Sequence, residues 1–253
     1  MLPAQSGLRG HAAMCGRITN NEQLAYTPTP QLLEFLANGA PPIYIGLGSA
    51  EIDDPERTTE TILEAVRRVG VRAIISHGQA RLGARLSNCP HDVLFVDDVP
   101  HDWLFQRISC VVHHGGAGVT ETALAHGKPS VILPFRGDQF YWGEAVARMG
   151  AAPDPIPGKS VTADSLTASI LRALGSDIAQ SAARIRDQIV AENGTEKSAR
   201  AFTAGLIPEA LRCSLIPSRV AVWKVKSLDM QLSAIAVGVL RKDGLVKPKD
   251  IEL

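Results

Sequence analysis

Five short apolar runs occur in the first part of the chain, each bounded by glycine, proline or charged residues. They are PIYIGL (42–47), VRAIIS (71–76), VLFV (93–96), SCVVHH (109–114) and SVILPF (130–135). Continuous apolar runs of this length are typical of strands that are buried on both faces. Helix-like or loop-like segments separate the runs, and parallel strands require such crossover connections. The pattern therefore predicts an α/β fold, a doubly wound parallel sheet with helices on both faces.

Helical patterns fill the segments between and after these runs. Asp54-Pro55 supplies an N-cap and a proline at the first helical position, and apolar residues then recur at helical spacing until Gly70. Three further helices are predicted at about 138–150, 162–174 and 177–193. No internal repeat and no low-complexity segment interrupts this order.

The composition is that of a globular protein. The chain has 253 residues, of which 45% are hydrophobic and 21% charged, and its mean hydropathy is +0.04. This length suits one or two domains. No apolar stretch reaches the roughly 18 residues that a membrane-spanning helix needs, and the N-terminus lacks the apolar core of a signal peptide. We therefore expect a cytoplasmic protein.

The positive charge is concentrated near the C-terminus. Residues 211–253 carry 8 Lys and Arg against 4 Asp and Glu, whereas residues 1–210 carry 18 against 22. This tail includes the stretch RCSLIPSRVAVWKVK and a predicted helix, MQLSAIAVGVLRK (230–242). We expect a basic tail that packs on the preceding domain; the alternative is a segment that contacts a membrane surface peripherally.

Three glycines in four positions follow the fourth apolar run, in the stretch HHGGAGVTE (113–121). In open α/β sheets, ligands bind beyond the carboxyl ends of the strands, where this stretch is predicted to lie. A helix N-terminus at this point would offer unpaired N–H groups to a phosphate, and glycines would let the phosphate approach the backbone. Glu121, one turn into the helix, is placed to accept hydrogen bonds from a sugar diol. Since the stretch is neither a P-loop nor a G-x-G-x-x-G motif, the alternative is a tight turn without a ligand.

Two neighbouring segments are predicted to reach the same edge of the sheet. Asp138 and Gln139 follow the fifth run, and together they could satisfy several hydroxyls of a hexose or simply begin a helix as a cap. The stretch Gly46-Leu47-Gly48-Ser49 follows the first run and could reach the phosphate from the opposite side. Three strand ends therefore converge on one predicted site.

Around these residues the chain resembles a known family. Residues 99–157, from VPHDWLF through HHGGAGVTE and PFRGDQFYWGEA to DPIP, are similar to the C-terminal nucleotide-sugar domain of UDP-glycosyltransferases, most closely the sterol 3-β-glucosyltransferases. PPIYIGLGS, VRAIISHG and RCSLIPSRVAVWKVK extend the likeness over roughly residues 26–245. The resemblance implies a GT-B fold with two Rossmann-like domains. It also implies inverting transfer of glucose from UDP-glucose to the hydroxyl of a sterol or another lipid.

The resemblance also assigns residues to four parts of the donor, namely the diphosphate, the uracil, the ribose and the transferred sugar. Val99 and His101 would flank the uracil, Glu121 would bind the ribose, and Asp138 with Gln139 would hold the transferred sugar. The residues assigned to the diphosphate are Gly48, Ser49, His113, Gly115, Gly116, Ala117, Gly118, Val119 and Thr120. Trp103, within PHDWLF, is predicted to pack beneath the uracil loop rather than to stack on the base.

No metal ion and no other cofactor is expected. The D-x-D motif of the other major glycosyltransferase fold is absent, because no two aspartates in the sequence are separated by one residue. Asp53-Asp54 and Asp97-Asp98 are adjacent pairs. His113 and His114 are neighbours on a predicted strand and point to opposite faces, so they would not share one metal. The helix N-terminus and His113 would instead stabilise the charge on the leaving UDP. The four cysteines form no C-x-x-C pair, and neither a zinc ribbon nor a disulfide framework is predicted.

The family's acceptor domain, with its general base, precedes the segment that this chain resembles. Residues 1–40 are interpreted as a remnant of the interdomain segment, 41–210 as the UDP-sugar-binding Rossmann-like domain and 211–253 as the tail. The donor half offers no base within expected reach of an acceptor hydroxyl, so no catalytic residue is assigned. His11, in GLRGHAA, is not given that role.

Two classes of function remain open. In the first, the chain supplies the donor-binding half of a sterol or lipid glucosyltransferase. In the second, it is a free-standing or inactive UDP-sugar-binding module that needs a separate acceptor-domain protein. A third and weaker interpretation is a nucleotide-sugar epimerase-like protein, which would not share PHDWLF or RCSLIPSRVAVW. The expected partners are a UDP-sugar donor, a sterol or lipid acceptor and an acceptor-domain protein; no nucleic-acid partner is expected.

Overall fold

A computed structural model describes residues 15–18, 26–205 and 211–252, so His11 lies outside the described residues. The chain divides into two compact units, the first ending at Thr195 and the second beginning at Glu196. Each unit contains a β-sheet of its own.

The first unit contains the parallel sheet that the apolar runs predict. Its strands are β1 (Ile43–Gly46), β2 (Ala73–Ser76), β3 (Val93–Val96), β4 (Val111–His113) and β5 (Ser130–Ile132). The strand order is β3-β2-β1-β4-β5, and all neighbouring pairs are parallel. The predicted fold class is therefore confirmed.

Helices connect these strands and flank the sheet. They are α1 (Pro30–Ala37), α2 (Pro55–Val69), α3 (His101–Leu104), α4 (Ala117–Ala125), α5 (Gln139–Arg148), α6 (Ala163–Ala173) and α7 (Ser176–Glu192), and α8 (Gly194–Gly205) continues into the second unit. Asp54 caps α2 by accepting a hydrogen bond from the Arg57 N–H at 3.0 Å, and Gly70 ends it with a φ of 72°. The predicted cap and helix end are both confirmed.

The sequence patterns did not predict α1. Thr29 caps this helix by accepting a hydrogen bond from the Leu32 N–H at 3.3 Å, and Pro30 occupies its first position. Leu32 is fully buried against the sheet, which stabilises a helix of only eight residues. The segment before β1 therefore contributes to the core of the first unit.

Apolar cores lie on both faces of the parallel sheet. Ile43 and Ile45 of β1 belong to a core shared with α2 and α6, whereas Tyr44 between them belongs to a core shared with α1, α3 and α4. This alternation follows from the pleat of a strand that is covered on both sides. A third cluster joins α4, α5 and α7 to Ile132 of β5.

The second unit is a small α/β assembly. It contains β6 (Trp223–Val225), β7 (Met230–Leu232) and β8 (Ile251–Glu252) in an antiparallel sheet of order β7-β6-β8. The helix α9 (Ala234–Lys242) lies between β7 and β8 along the chain. Its core residues are Cys213, Val225, Leu232, Ala236, Val237 and Val246. No helix in the described part of the chain is long and apolar enough to cross a membrane.

The predicted helix at 230–242 begins later than the pattern indicates. Met230–Leu232 pairs with β6 as a strand, and Ser233 then caps α9 by accepting a hydrogen bond from the Ala236 N–H at 3.3 Å. A serine between two apolar segments marks this change from strand to helix. Packing of the tail on the preceding domain, and its membrane-contacting alternative, stay predictions.

Candidate functional site

The centre of the parallel sheet contains a topological switch. β1 lies between β2 and β4, so the chain leaves β1 toward one edge of the sheet and later returns from β3 to the other side of β1. Gly46, the last residue of β1, is in register with His113, the last residue of β4. The loops after these two strands diverge and open a crevice, and this is where open α/β sheets bind ligands.

A cavity of about 480 Å³ lies in this crevice. Its volume falls in the range of roughly 300–1,000 Å³ that is usual for small-molecule sites. Five of the predicted donor-binding residues line it, and they come from the loops after β1 and β3 and from the helices α3 and α4. These residues are Gly48, Ser49, Val99, His101 and Val119, and the other lining residues are Tyr44, Gly46, Ser76, His77, Gly78, Gln79, Asp97, Asp98 and His114.

A larger cavity, of about 750 Å³, lies near the amino ends of β2 and β3. Arg72 lines it, but the guanidinium donates hydrogen bonds to the carbonyl oxygens of Ala40 and Phe35 and lies 4.1 Å from the centre of the Phe35 ring. This cavity lies at the amino ends of the strands, where open α/β sheets do not usually bind ligands. Its arginine already donates to backbone carbonyl oxygens. We therefore place the candidate site in the crevice at the carboxyl ends.

The glycines of HHGGAG have different structural causes. Gly115 has a φ of 84°, and a Cβ on it would lie 2.9 Å from the Gln139 carbonyl oxygen. A Cβ on Gly116 would lie 2.5 Å from Nε2 of His114. A Cβ on Gly118, in contrast, would meet no atom within 4 Å. The turn alone explains the first two glycines, whereas Gly118 leaves open space at the start of α4.

The N-terminus of α4 faces outward without a side-chain cap. Gly116 is its N-cap residue, and no side chain of the described residues accepts a hydrogen bond there. Ala117 and Gly118 are exposed, whereas Thr120 is buried and its hydroxyl donates to the Gly116 carbonyl oxygen at 2.8 Å. Uncapped N–H groups and the positive end of the helix dipole favour an anion at this position.

His113 lies beneath this loop and does not line the cavity. Its side chain is fully buried, and its Nδ1 accepts a hydrogen bond from the Gly115 N–H at 3.1 Å. Burial, with smaller contributions from the neighbouring His114 and His101, lowers the pKa of His113 to about 3. The imidazole is therefore neutral and carries its proton on Nε2, which has no hydrogen-bond partner among the described residues. Whatever stabilisation it offers an anion comes from an N–H group rather than from a full charge.

His114 lines the cavity, although the sequence did not single it out as a site residue. Its ring lies between the loops after β1 and β4, since a Cβ on either Gly48 or Gly116 would be within 3 Å of it. Its Nδ1 is buried and unpaired among the described residues. Burial lowers the pKa of His114, the charge of Arg136 lowers it further, and Asp138 opposes both effects. Strand alternation predicted that the two histidines face opposite sides but not which of them faces the crevice.

Tyr44 and His101 form one wall of the cavity. The Tyr44 hydroxyl and Nε2 of His101 are 3.2 Å apart, and the His101 ring stacks on Phe105 with centroids 4.7 Å apart. Burial raises the pKa of Tyr44 to about 12 and lowers that of His101, so both rings are neutral. This wall is a fixed aromatic surface beside Val99, as suits a planar base.

Trp103 packs away from the cavity. Its ring contacts Tyr26 edge-on with centroids 5.2 Å apart, and the Arg107 guanidinium lies 4.1 Å from its centroid. It also packs against the core shared by α1, α3 and α4. These contacts confirm the predicted packing role.

Asp138 and Gln139 are at the carboxyl end of β5, as predicted, but their polar atoms are partly engaged. The Gln139 Oε1 accepts hydrogen bonds from the N–H groups of Phe135 and Arg136 at 2.8 and 3.1 Å. Asp138 is the N-cap residue of α5, but its side chain makes no capping hydrogen bond, and its Oδ2 accepts from Nε1 of Trp142 at 2.9 Å. Gln139 thus fixes the loop after β5, and the Gln139 amide N–H groups and the second Asp138 oxygen are the parts that suit a sugar.

Glu121 is exposed on α4 and lies near an arginine from the N-terminal segment. The Arg17 guanidinium is 4.0 Å from the Glu121 carboxylate and 3.1 Å from that of Asp102. His126 contacts the same Asp102 oxygen at 2.9 Å. Glu121 is therefore a hydrogen-bond acceptor at the surface of the helix, outside the lining of the 480 Å³ cavity.

Within the described ranges, no group of three or more His, Cys, Asp or Glu side chains could hold a metal ion. Cys110 and Cys213 are buried, Cys89 is exposed and Cys15 is intermediate. Metal independence of the reaction stays a prediction.

A model of a glycosyltransferase domain family matches the part of the chain that contains this site. The family model of the erythromycin biosynthesis protein CIII-like C-terminal domain matches residues 60–203, which is more than half of the chain and includes β2 to β5 and the α4 loop. The chain belongs to this family. The family membership confirms the resemblance to UDP-glycosyltransferases that the motifs indicate.

Curated relatives match a longer part of the chain than the family model does. Sterol 3-beta-glucosyltransferase UGT80B1 of Arabidopsis thaliana is 39% identical over 184 residues, which cover 73% of this chain and 30% of the relative. Sterol 3-beta-glucosyltransferase UGT80A2 of the same plant is 41% identical over 177 residues, covering 70% and 28%. The chain therefore spans less than a third of the length of these relatives.

Solved structures show the same fold. The glycotransferase of kitacinnamycin matches with a TM-score of 0.64 and 23% identity, over 77% of this chain and 49% of that protein. Arabidopsis thaliana UGT89C1, solved in complex with UDP, matches with a TM-score of 0.58 and 14% identity, over 70% and 47%. In both cases the chain corresponds to about half of a glycosyltransferase.

Proposed function

We propose that this chain is the donor-binding half of a glycosyltransferase that transfers glucose from UDP-glucose to the hydroxyl of a sterol or another lipophilic acceptor. The observation that carries the proposal is the crevice between β1 and β4, where the uncapped N-terminus of α4 is open at Gly118. Support for the donor comes from UGT89C1, which was solved with UDP. Support for the acceptor comes from the curated relatives, which are named sterol 3-beta-glucosyltransferases.

The geometry of the crevice orders the parts of the proposed donor. The diphosphate would accept hydrogen bonds from the first N–H groups of α4, opposite Gly48 and Ser49. The uracil would lie beside Val99 and His101, where the wall is aromatic and uncharged. Glu121 would accept from the ribose hydroxyls, and Asp138 with the Gln139 amide would hold the glucose.

The proposed reaction inverts the configuration at the sugar and uses no metal. The acceptor oxygen would attack the anomeric carbon from the face opposite the diphosphate, while its proton passes to a base outside the donor-binding residues. The departing diphosphate gains negative charge, and the fixed N–H groups of α4 would stabilise it without reorganisation. The neutral His113 would add an N–H donor beneath the loop rather than a charge.

Calorimetry with UDP tests the donor site. We expect the 253-residue chain to bind one UDP, and Glu121→Ala to weaken UDP more than 2′,3′-dideoxy-UDP, because the deleted carboxylate serves the ribose hydroxyls. Glu144→Ala is the matched control, since Glu144 is also an exposed helix residue with an arginine, Arg148, 3.8 Å away. Absence of UDP binding by the wild-type chain would overturn the proposed function.

A transfer assay separates the two classes of function. With UDP-glucose and a sterol, we expect the 253-residue chain alone to transfer no glucose, because no described donor residue supplies a base. If the chain is a module that works with a separate acceptor-domain protein, addition of that protein restores transfer. Turnover by the chain alone would contradict the requirement for an acceptor domain.

A further inference from the structure

An ion pair joins two loops at the carboxyl ends of the strands. Nη1 of Arg136 lies 3.7 Å from Oε1 of Glu51. Glu51 belongs to the loop after β1, and Arg136 belongs to the loop after β5. Because β4 lies between β1 and β5 in the sheet, a contact between these two loops spans the carboxyl end of β4. The pair therefore extends across the glycine loop that follows His113.

The backbone of Arg136 is fixed, whereas its side chain is accessible. The Arg136 N–H donates to Oε1 of Gln139 at 3.1 Å, and Gly137 follows with a φ of 56°. The side chains of Arg136 and Glu51 are 61% and 87% exposed. An ion pair with this exposure is weak, so a stronger anion can replace the carboxylate.

The charge of Arg136 acts on the crevice itself. It contributes to the lowered pKa of His114, after the larger effect of burial, and His114 lines the cavity between Gly48 and Gly116. The guanidinium is therefore within electrostatic reach of the ring that joins the two loops.

The glycine loop contains no fully charged cation that would neutralise a diphosphate. His113 and His114 have lowered pKa values and supply no full positive charge. In the loop after β1, Asp53 is paired with Lys159 at 3.6 Å and Asp54 caps α2, whereas Glu51 pairs with Arg136. Arg136 offsets the charge of Glu51, which would otherwise repel a diphosphate at the start of α4.

We propose that Arg136 is a diphosphate-binding residue, which Glu51 holds over the glycine loop in the free protein and releases to the nucleotide. This inference rests on the proposed function and adds a residue that the donor motifs do not assign. Arg136 would exchange one carboxylate for the diphosphate oxygens, and a guanidinium can bind two such oxygens at once. Glu51 would act as a competitor of the ligand, so the two residues have opposite effects on affinity.

Calorimetry on four proteins tests the exchange: wild type, Arg136→Gln, Glu51→Gln and the double variant. We expect Arg136→Gln to weaken UDP about 3- to 10-fold, a range set by a charge-assisted hydrogen bond in an exposed place. We expect Glu51→Gln to tighten UDP about 2- to 3-fold, since it frees the arginine. Arg136→Gln should cost more affinity in the Glu51→Gln background than in the wild type, because the arginine there has no competing carboxylate. Uridine, which has no phosphate, should bind all four proteins equally.

The control is an ion pair of nearly the same distance and exposure away from the crevice. Arg148 and Glu144 on α5 are 3.8 Å apart and 67% and 62% exposed, and Arg148→Gln should leave UDP affinity unchanged. Arg136→Lys, which keeps the charge, should retain part of the affinity. Unchanged UDP affinity in Arg136→Gln, or an equal loss of uridine affinity, would overturn the role of Arg136 while leaving the proposed function intact. Failure of the wild type to bind UDP would instead overturn the proposed function.

Discussion

Replacing Gly118 by leucine tests whether the donor binds at the N-terminus of α4. Gly118 is the second residue of this helix, and a Cβ on it would meet no atom within 4 Å. A Cβ at this position therefore causes no clash within the protein, and exchanging glycine for leucine in a helix contributes up to about 0.7 kcal/mol of stability. A leucine side chain would nevertheless occupy the space in front of the uncapped N–H groups. We expect stability and UDP affinity to change in opposite directions.

The affinity loss follows from the hydrogen bonds that the leucine blocks. A hydrogen bond to a charged group contributes about 1.5–3 kcal/mol, so losing one phosphate contact lowers UDP affinity roughly 10- to 100-fold. Calorimetry gives the affinity, and thermal unfolding shows that the variant remains folded. Gly238→Leu is the matched control, because Gly238 is a helical glycine of α9 whose Cβ would also meet no atom within 4 Å. If Gly118→Leu binds UDP as tightly as Gly238→Leu does, the diphosphate does not lie at the start of α4.

Three further predictions concern the scaffold of the site. Asp54→Ala removes the cap of α2 and should lower the free energy of unfolding by about 1 kcal/mol in urea titrations, with UDP affinity unchanged; an unchanged midpoint would contradict the cap's contribution. Gly115 and Gly70 both have a positive φ, so alanine at either position costs roughly 1–2 kcal/mol of stability. Gly115→Ala should cost more than Gly70→Ala, because only the Cβ at Gly115 would lie 2.9 Å from a carbonyl oxygen. Equal losses would show that the loop shifts freely. Because burial lowers the pKa of His113 from 6.5 to about 3, the unfolded chain takes up a proton that the folded chain does not as the pH falls below 6.5. The stability that His113 contributes is thus complete above pH 6.5 and falls by up to about 1.4 kcal/mol per pH unit below it, and His113→Asn should show a flatter urea-midpoint profile between pH 7 and 5.5; an identical profile would refute the neutral buried histidine.

The fold was predictable because the first unit follows simple rules. Strands that are buried on both faces produce continuous apolar runs, and all five predicted runs contain a strand. The α1 helix was missed because it is short and amphipathic over only two turns, although Thr29-Pro30 is a valid start signal. In the tail, Met230–Leu232 is apolar at a spacing that suits strand and helix equally, and its pairing with β6 decides the outcome.

The candidate site was predictable at the level of loops and not of atoms. Glycines and polar residues after three strands indicated the edge of the sheet where the 480 Å³ cavity lies, because parallel strands end together. The sequence could not show that the Gln139 side-chain oxygen accepts hydrogen bonds from two backbone N–H groups. It also could not show that His114 rather than His113 lines the cavity. It also did not indicate the ion pair between Arg136 and Glu51. These residues are distant in sequence, and they meet because β1 and β5 both lie next to β4 in the sheet.

A crystal structure of the chain grown with UDP tests the central claim most directly. We expect the diphosphate within hydrogen-bond distance of the first N–H groups of α4, between Gly118 and the Gly48-Ser49 loop, with the uracil beside Val99 and His101. A nucleotide bound elsewhere, for example in the 750 Å³ cavity at the amino ends of β2 and β3, would contradict the assignment of the crevice as the donor site.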